Sequence, residues 1–148
     1  MLTKLHAAVG TLGLMIIAGF WSATAISELF GTSDQIAMAK TAILYGMALL
    51  IPSLAAAGIT GARLGRGMKL PQVAAKTTRM KVIAANGILI LLPSAVFLAL
   101  RAQAGQFDTA FYAVQVLELL AGATNFTLLS LNLRDGLRIA ARLRAARR

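Results

Sequence analysis

Apolar positions fall into four long runs separated by short polar segments. Leu5–Ser27 contains no Asp, Glu, Lys or Arg. Thr41–Ala62 is uninterrupted between Lys40 and Arg63, and Val82–Leu100 between Lys81 and Arg101. Thr109–Leu133 carries a single acidic residue, Glu118. A helix rises ~1.5 Å per residue and a bilayer's hydrocarbon core is ~30 Å thick, so about 20 residues cross it. Backbone groups in lipid must bond within their own segment, so the runs predict helices. The pattern predicts an all-α fold, an integral membrane four-helix bundle over residues 1–133, with a basic tail over 134–148.

The first run has a second reading. Lys4, the apolar stretch Val9–Trp21 and the small residues Ala23–Ala25 have the layout of a signal peptide with its cleavage site. We read it as the first membrane helix.

The segments between the runs are short. The connection near Leu29–Ala39 contains "FGTSDQ", a turn followed by a helix-capping pattern. "GARLGRGMKLPQVAAKTTRMK" is Gly-rich and then basic, with room for a short interfacial helix after Pro71. "RAQAGQFD" is tight, which predicts antiparallel neighbours on either side. Pro52 and Pro93 fall inside the second and third runs, where membrane helices tolerate kinks. Ser53, Ala57, Gly61 and Gly65 recur at every fourth position. This small-residue stripe suits close helix contact, within the chain or across a dimer.

Composition agrees with this frame, and charge orients it. The chain has 148 residues, 58% of them hydrophobic, and a mean hydropathy of +0.75, too apolar for a soluble domain of this length. Neither low complexity nor an internal repeat is evident. Six Lys/Arg lie in 63–81 and six in 134–148, with Lys4 at the N-terminus. Only Lys40 and Arg101 lie on the other side. That asymmetry predicts a plasma-membrane protein with both termini and the middle loop in the cytoplasm. The basic surplus reads as topology and contact with anionic headgroups. No basic–aromatic pattern points to nucleic acid. Arg134, Arg138 and Arg142 would align on a helical tail, as a headgroup anchor or a partner-docking face.

Candidate chemistry is sparse. The chain has no Cys, which excludes disulfides, thiolate metal sites and thiol relays, and it has one His. No Ser–His–acid spacing or metal-ligand cluster suggests an enzyme. Around the fourth helix, Gln115, Glu118, Gly122, Asn125 and Asn132 fall within an arc of about 100°. Such a stripe must face the bundle, a cavity or another subunit. Lys40, near the end of the second helix, can descend to pair with Glu118. Otherwise Gln115 or Tyr45 would bond a protonated acid.

His6 lies near the start of the first helix, with Gly10 and Gly13 on the same face and Ile17, Phe20, Trp21 and Thr24 continuing it. Glycines one and two turns from a His leave room for a flat ring. The arrangement resembles that of membrane b-type cytochromes, and the resemblance implies haem b held between helices near the cytoplasmic face. It would give His6 as axial ligand, Met80 or the His6 of a second subunit opposite, and Arg79 and Lys81 near the propionates. Met68 lies farther into the loop. Those cytochromes commonly pair two His, which this chain cannot do alone. The motifs "ELFG", "RMKVIAANG", "FDTAFYAVQ" and "LNLRDG" also resemble uncharacterised bacterial four-span membrane proteins.

Three functional expectations follow. The first is a haem-binding redox or haem-sensing homodimer. The second is a small proton-coupled transporter using Glu118. It is similar to the small multidrug exporters in span number and in its single membrane carboxylate, but has that residue in helix 4 rather than helix 1, a longer chain and a basic tail. The third is a structural or assembly subunit.

Overall fold

The computed structural model describes residues 1–145, so the end of the basic tail, residues 146–148, lies outside the described residues. Four helices account for almost all of it: α1 (Leu2–Phe30), α2 (Ser33–Gly65), α3 (Pro71–Gln103) and α4 (Thr109–Ala145). Each is long and apolar enough to cross a membrane. No strand occurs among the described residues. The protein is an all-α four-helix bundle.

Each helix packs on its neighbours in chain order, and α1 also packs on α4. Neither diagonal pair, α1 with α3 or α2 with α4, brings its backbones together. The bundle is therefore a square of antiparallel neighbours. One end holds the N-terminus, the α2–α3 loop and the last turns of α4. We call it the basic end. The opposite end holds the other two turns.

The helices extend beyond the apolar runs. The expected connection Leu29–Ala39 shrinks to Gly31 and Thr32, because Thr32 caps α2 tightly. Gln35 N donates to Thr32 Oγ1 at 3.4 Å, and Thr32 N donates to Gln35 Oε1 at 2.9 Å. This reciprocal box satisfies two orphan backbone donors. The helix after Pro71 is not a separate interfacial element. It runs on into the third span. Likewise α4 continues through the basic tail to Ala145 without a break.

α3 departs from regular geometry at Gly87–Leu91, a π-helical turn in which Leu92 N donates to Gly87 O. Pro93 follows directly. Proline cannot donate a helical hydrogen bond and its ring crowds the preceding turn. A wider turn just ahead of it relieves that crowding.

The α1–α2 seam is built from large–small pairs. Gly46 receives the Phe20 ring, Gly61 receives His6, and Gly13 receives Leu54. The small-residue stripe of α2 thus serves packing inside the chain: Gly61 faces α1, Gly65 faces Val73 of α3, and Ser53 and Ala57 are buried. Two apolar clusters complete the core, one around Ile17, Leu50, Ile83 and Leu129, the other around Ile36, Leu98, Ala102 and Phe111.

Candidate functional site

A polar stripe runs down the inner face of α4, between the apolar residues Phe111, Ala121 and Leu129. Gln115, Glu118, Gly122, Asn125 and Asn132 are all buried, and Asp135 extends the stripe by one turn. Glu118, Asn125 and Asn132 are seven residues apart, the period of helices that wind around one another with a left-handed twist. Successive layers therefore lie ~10 Å apart along the helix. Two ionic layers flank a neutral one.

The first layer is ionic. Lys40 Nζ lies 2.7 Å from Glu118 Oε2 and donates to Thr24 Oγ1 at 3.3 Å. Gln115 Nε2 donates to the same Glu118 oxygen at 3.2 Å. Lys40 is 1% exposed and Glu118 8%. Lys40 projects from α2 and Glu118 from α4, which are diagonal in the square. The lysine stem spans a gap that the backbones do not close. Thr24 on α1 steadies the ammonium from the side.

The two carboxylate oxygens differ. Oε2 receives both donors, whereas Oε1 has no protein hydrogen bond among the described residues. Glu118 also lines a cavity of about 50 Å³, otherwise walled mainly by apolar side chains, among them Ile17, Phe20, Trp21, Met47 and Leu91. At ~10–15 Å³ per water, the cavity has room for a few waters, though they need polar partners. Glu118 and Thr24 supply them. Trp21 closes part of the α1–α4 seam by donating its indole N–H to Leu119 O at 3.1 Å. Leu91, at the end of the π turn, brings α3 to the same cavity.

The second layer is neutral. Asn86 Nδ2 donates to Asn125 Oδ1 at 2.8 Å and to Ala121 O at 2.9 Å. Asn125 Nδ2 reaches Ile83 O at 3.3 Å. These bonds fasten α3 to α4 immediately before the π turn. The third layer, at the basic end, is ionic again. Arg79 Nη1 lies 2.6 Å from Asp135 Oδ2 and 3.4 Å from Asn132 Oδ1. Asn86 and Asp135 were not singled out in the sequence. Asp135 lies three residues beyond Asn132 and continues its face.

The expected haem site finds its residues arranged for packing. His6 Nδ1 lies 3.0 Å from Thr60 Oγ1, and the Thr60 hydroxyl donates to Ala56 O at 2.6 Å. With its hydrogen so committed, Thr60 accepts from His6, which fixes the proton on Nδ1. The ring rests against Gly61, where an added Cβ would come within 3.0 Å of Cε1. Gly10 is open, but the clearing expected at Gly13 is filled by Leu54, whose Cδ2 would lie 2.8 Å from an added Cβ. Met80 packs toward Gly58 on α2, Arg79 is committed to Asp135, and Lys81 is exposed. In this arrangement His6, Met80 and Arg79 each meet a protein neighbour, and Leu54 stands over Gly13. No group of three or more His, Asp or Glu suited to a metal ion occurs among the described residues. Tyr45 is 75% exposed on the outer surface and is no partner for Glu118.

Comparison with protein-family models, curated proteins and solved structures yields no match.

Proposed function

We propose that this chain is a small proton-coupled transporter of a bacterial inner membrane, with Lys40 and Glu118 as its proton-exchange centre. The observation that carries this reading is the buried ion pair whose carboxylate has one oxygen without a protein hydrogen bond among the described residues, in a residue that lines a cavity. Desolvation costs several kcal/mol per ion, so a buried pair is a poor device for stability alone. Intramembrane ionisable groups more often mark a path for protons, ions or substrate.

In this reading the pair couples proton binding to packing. A proton reaching Oε1 of Glu118 neutralises the carboxylate and removes the attraction on the Lys40 ammonium. Lys40 is the strut between diagonal helices, so its release frees α2 to move against α4. Trp21 and the π turn border the same cavity and would move with it. Proton binding then shifts the population between two packings of one bundle, as a transport cycle requires. In this reading the basic end faces the cytoplasm, and its Lys and Arg side chains contact anionic headgroups.

The test is proton flux. Purified protein in liposomes carrying an internal pH indicator should dissipate an imposed pH gradient, and Glu118→Gln should lose that activity. Wild-type vesicles indistinguishable from empty ones, with counter-ions and candidate organic cations supplied, would remove the transporter reading and leave a structural subunit.

A further inference from the structure

Close to the Lys40–Glu118 pair, two buried acceptor oxygens have no hydrogen-bond partner among the described residues. Gln115 is 3% exposed, and its amide nitrogen is committed to Glu118. A carboxylate cannot donate, so the amide orientation is fixed and Gln115 Oε1 points away from Glu118 Oε2. That oxygen is buried and has no partner among the described residues. Glu28 Oε1 is in the same condition. Glu28 lies one turn beyond Thr24 on α1, on the same face, and Thr24 touches the ammonium. The charged groups acting on Glu28 are Lys40 from α2 and Glu118 from α4. On α3, Arg101 at the same end of the bundle is engaged by Asp108 at 3.2 Å.

We infer that Glu28 is a second proton site, sharing one exchangeable proton with Glu118 and linking that centre to the Gly31–Thr32 end of the bundle. The inference rests on reading Lys40–Glu118 as a proton-exchange centre. One ammonium and two carboxylates leave one uncompensated negative charge among groups of which Lys40 and Glu118 are buried and Glu28 is half-buried, and burial makes that charge costly. A single proton cancels it. In the observed arrangement Lys40 faces Glu118, so Glu28 holds the proton as a neutral acid. In the exchanged arrangement the Glu28 O–H bond breaks, an O–H bond forms on Glu118, and the ammonium turns to the Glu28 carboxylate. The site contains one ammonium, one carboxylate and one carboxylic acid before and after. The proton therefore crosses from one helix to another without leaving a net charge in the membrane. Exchange of Glu28 with water at that end reloads the site.

Infrared difference spectroscopy at neutral pH, in light and heavy water, tests this through the carbonyl stretch of a protonated carboxylic acid. Wild-type protein should show one such band that shifts with deuteration. Glu28→Gln should remove it. Glu118→Gln should remove it too, because Lys40 and Glu28 then balance each other as ions. Lys40→Met should roughly double it, since both acids must then be neutral. Glu28→Asp should keep a displaced band, and it serves where Glu28→Gln folds poorly. A wild type without the band, or a band that survives Glu28→Gln, overturns the inference. The flux experiment is separate: flux with no acid band removes the Glu28 site and leaves the transporter reading, whereas the full band pattern without flux removes the transporter reading and leaves the shared proton.

Discussion

Lys40 Nζ and Glu118 Oε2 lie 2.7 Å apart, although the two helices that carry them do not approach each other. The bond links that diagonal of the bundle directly, through side chains alone. Its strength depends on charge state, and packing at helix–helix seams does not. A diagonal held only by apolar contact would be indifferent to protonation. One with a charged strut responds to it.

Substitutions at Glu118 should separate hydrogen bonding from charge. Glu118→Gln keeps an acceptor for Lys40 and Gln115 but removes the negative charge. Glu118→Lys places two ammonium groups together. Unfolding in detergent should show a moderate loss for the amide and a larger one for the lysine, with ~3–5 kcal/mol as the scale for an unpaired buried charge. Equal stability of the two variants would mean that Glu118 is not enclosed.

At the basic end, Arg79 and Asp135 should behave as a lock between α3 and α4. Asp135 is buried and Arg79 is only partly exposed, so their coupling should exceed the ~0.2–1 kcal/mol typical of surface pairs. A double-mutant cycle with Arg79→Ala and Asp135→Ala measures it. An additive cycle, within ~0.3–0.5 kcal/mol, would show that the two residues act independently.

His6 should matter for the α1–α2 seam and not for a cofactor. Its ring fills the space at Gly61 and its Nδ1–H is held by Thr60. His6→Ala should lower stability by roughly 1–3 kcal/mol through lost packing and one lost hydrogen bond. Protein from cells supplied with haem should show no Soret band. A Soret band that disappears in His6→Ala would reinstate the haem reading.

The four helices and the polar face of α4 were legible in the sequence because both rest on strong constraints. Uninterrupted apolar runs of membrane length have few other solutions, and a polar stripe in lipid must turn inward. Lys40 as the partner of Glu118 was legible too, from its depth and its long stem. The ends of helices were not. The second uncharged run begins only at Thr41, after Asp34 and Lys40, so the capping pattern in "FGTSDQ" was readable but not how closely the capping box brings α2 to the end of α1. The π turn depends on how Pro93 is accommodated by its neighbours, which no local pattern encodes. His6 beside Gly10 and Gly13 suggested a plate-shaped ligand. Leu54, forty-one residues beyond Gly13, fills that space instead. Glu28 gave no signal in the sequence, because nothing local shows that its Oε1 becomes buried without a partner.

The most direct test of the central claim removes both charges together. In the Lys40→Met/Glu118→Leu protein, no buried ion remains unpaired, and apolar replacement of a buried pair is often neutral or stabilising by ~1–4 kcal/mol. Unfolding and gradient-driven proton flux would be measured on the same preparation. The account predicts stability equal to or above that of the parent and no flux above empty vesicles. A double variant that folds normally and still carries protons at the parent rate would contradict it.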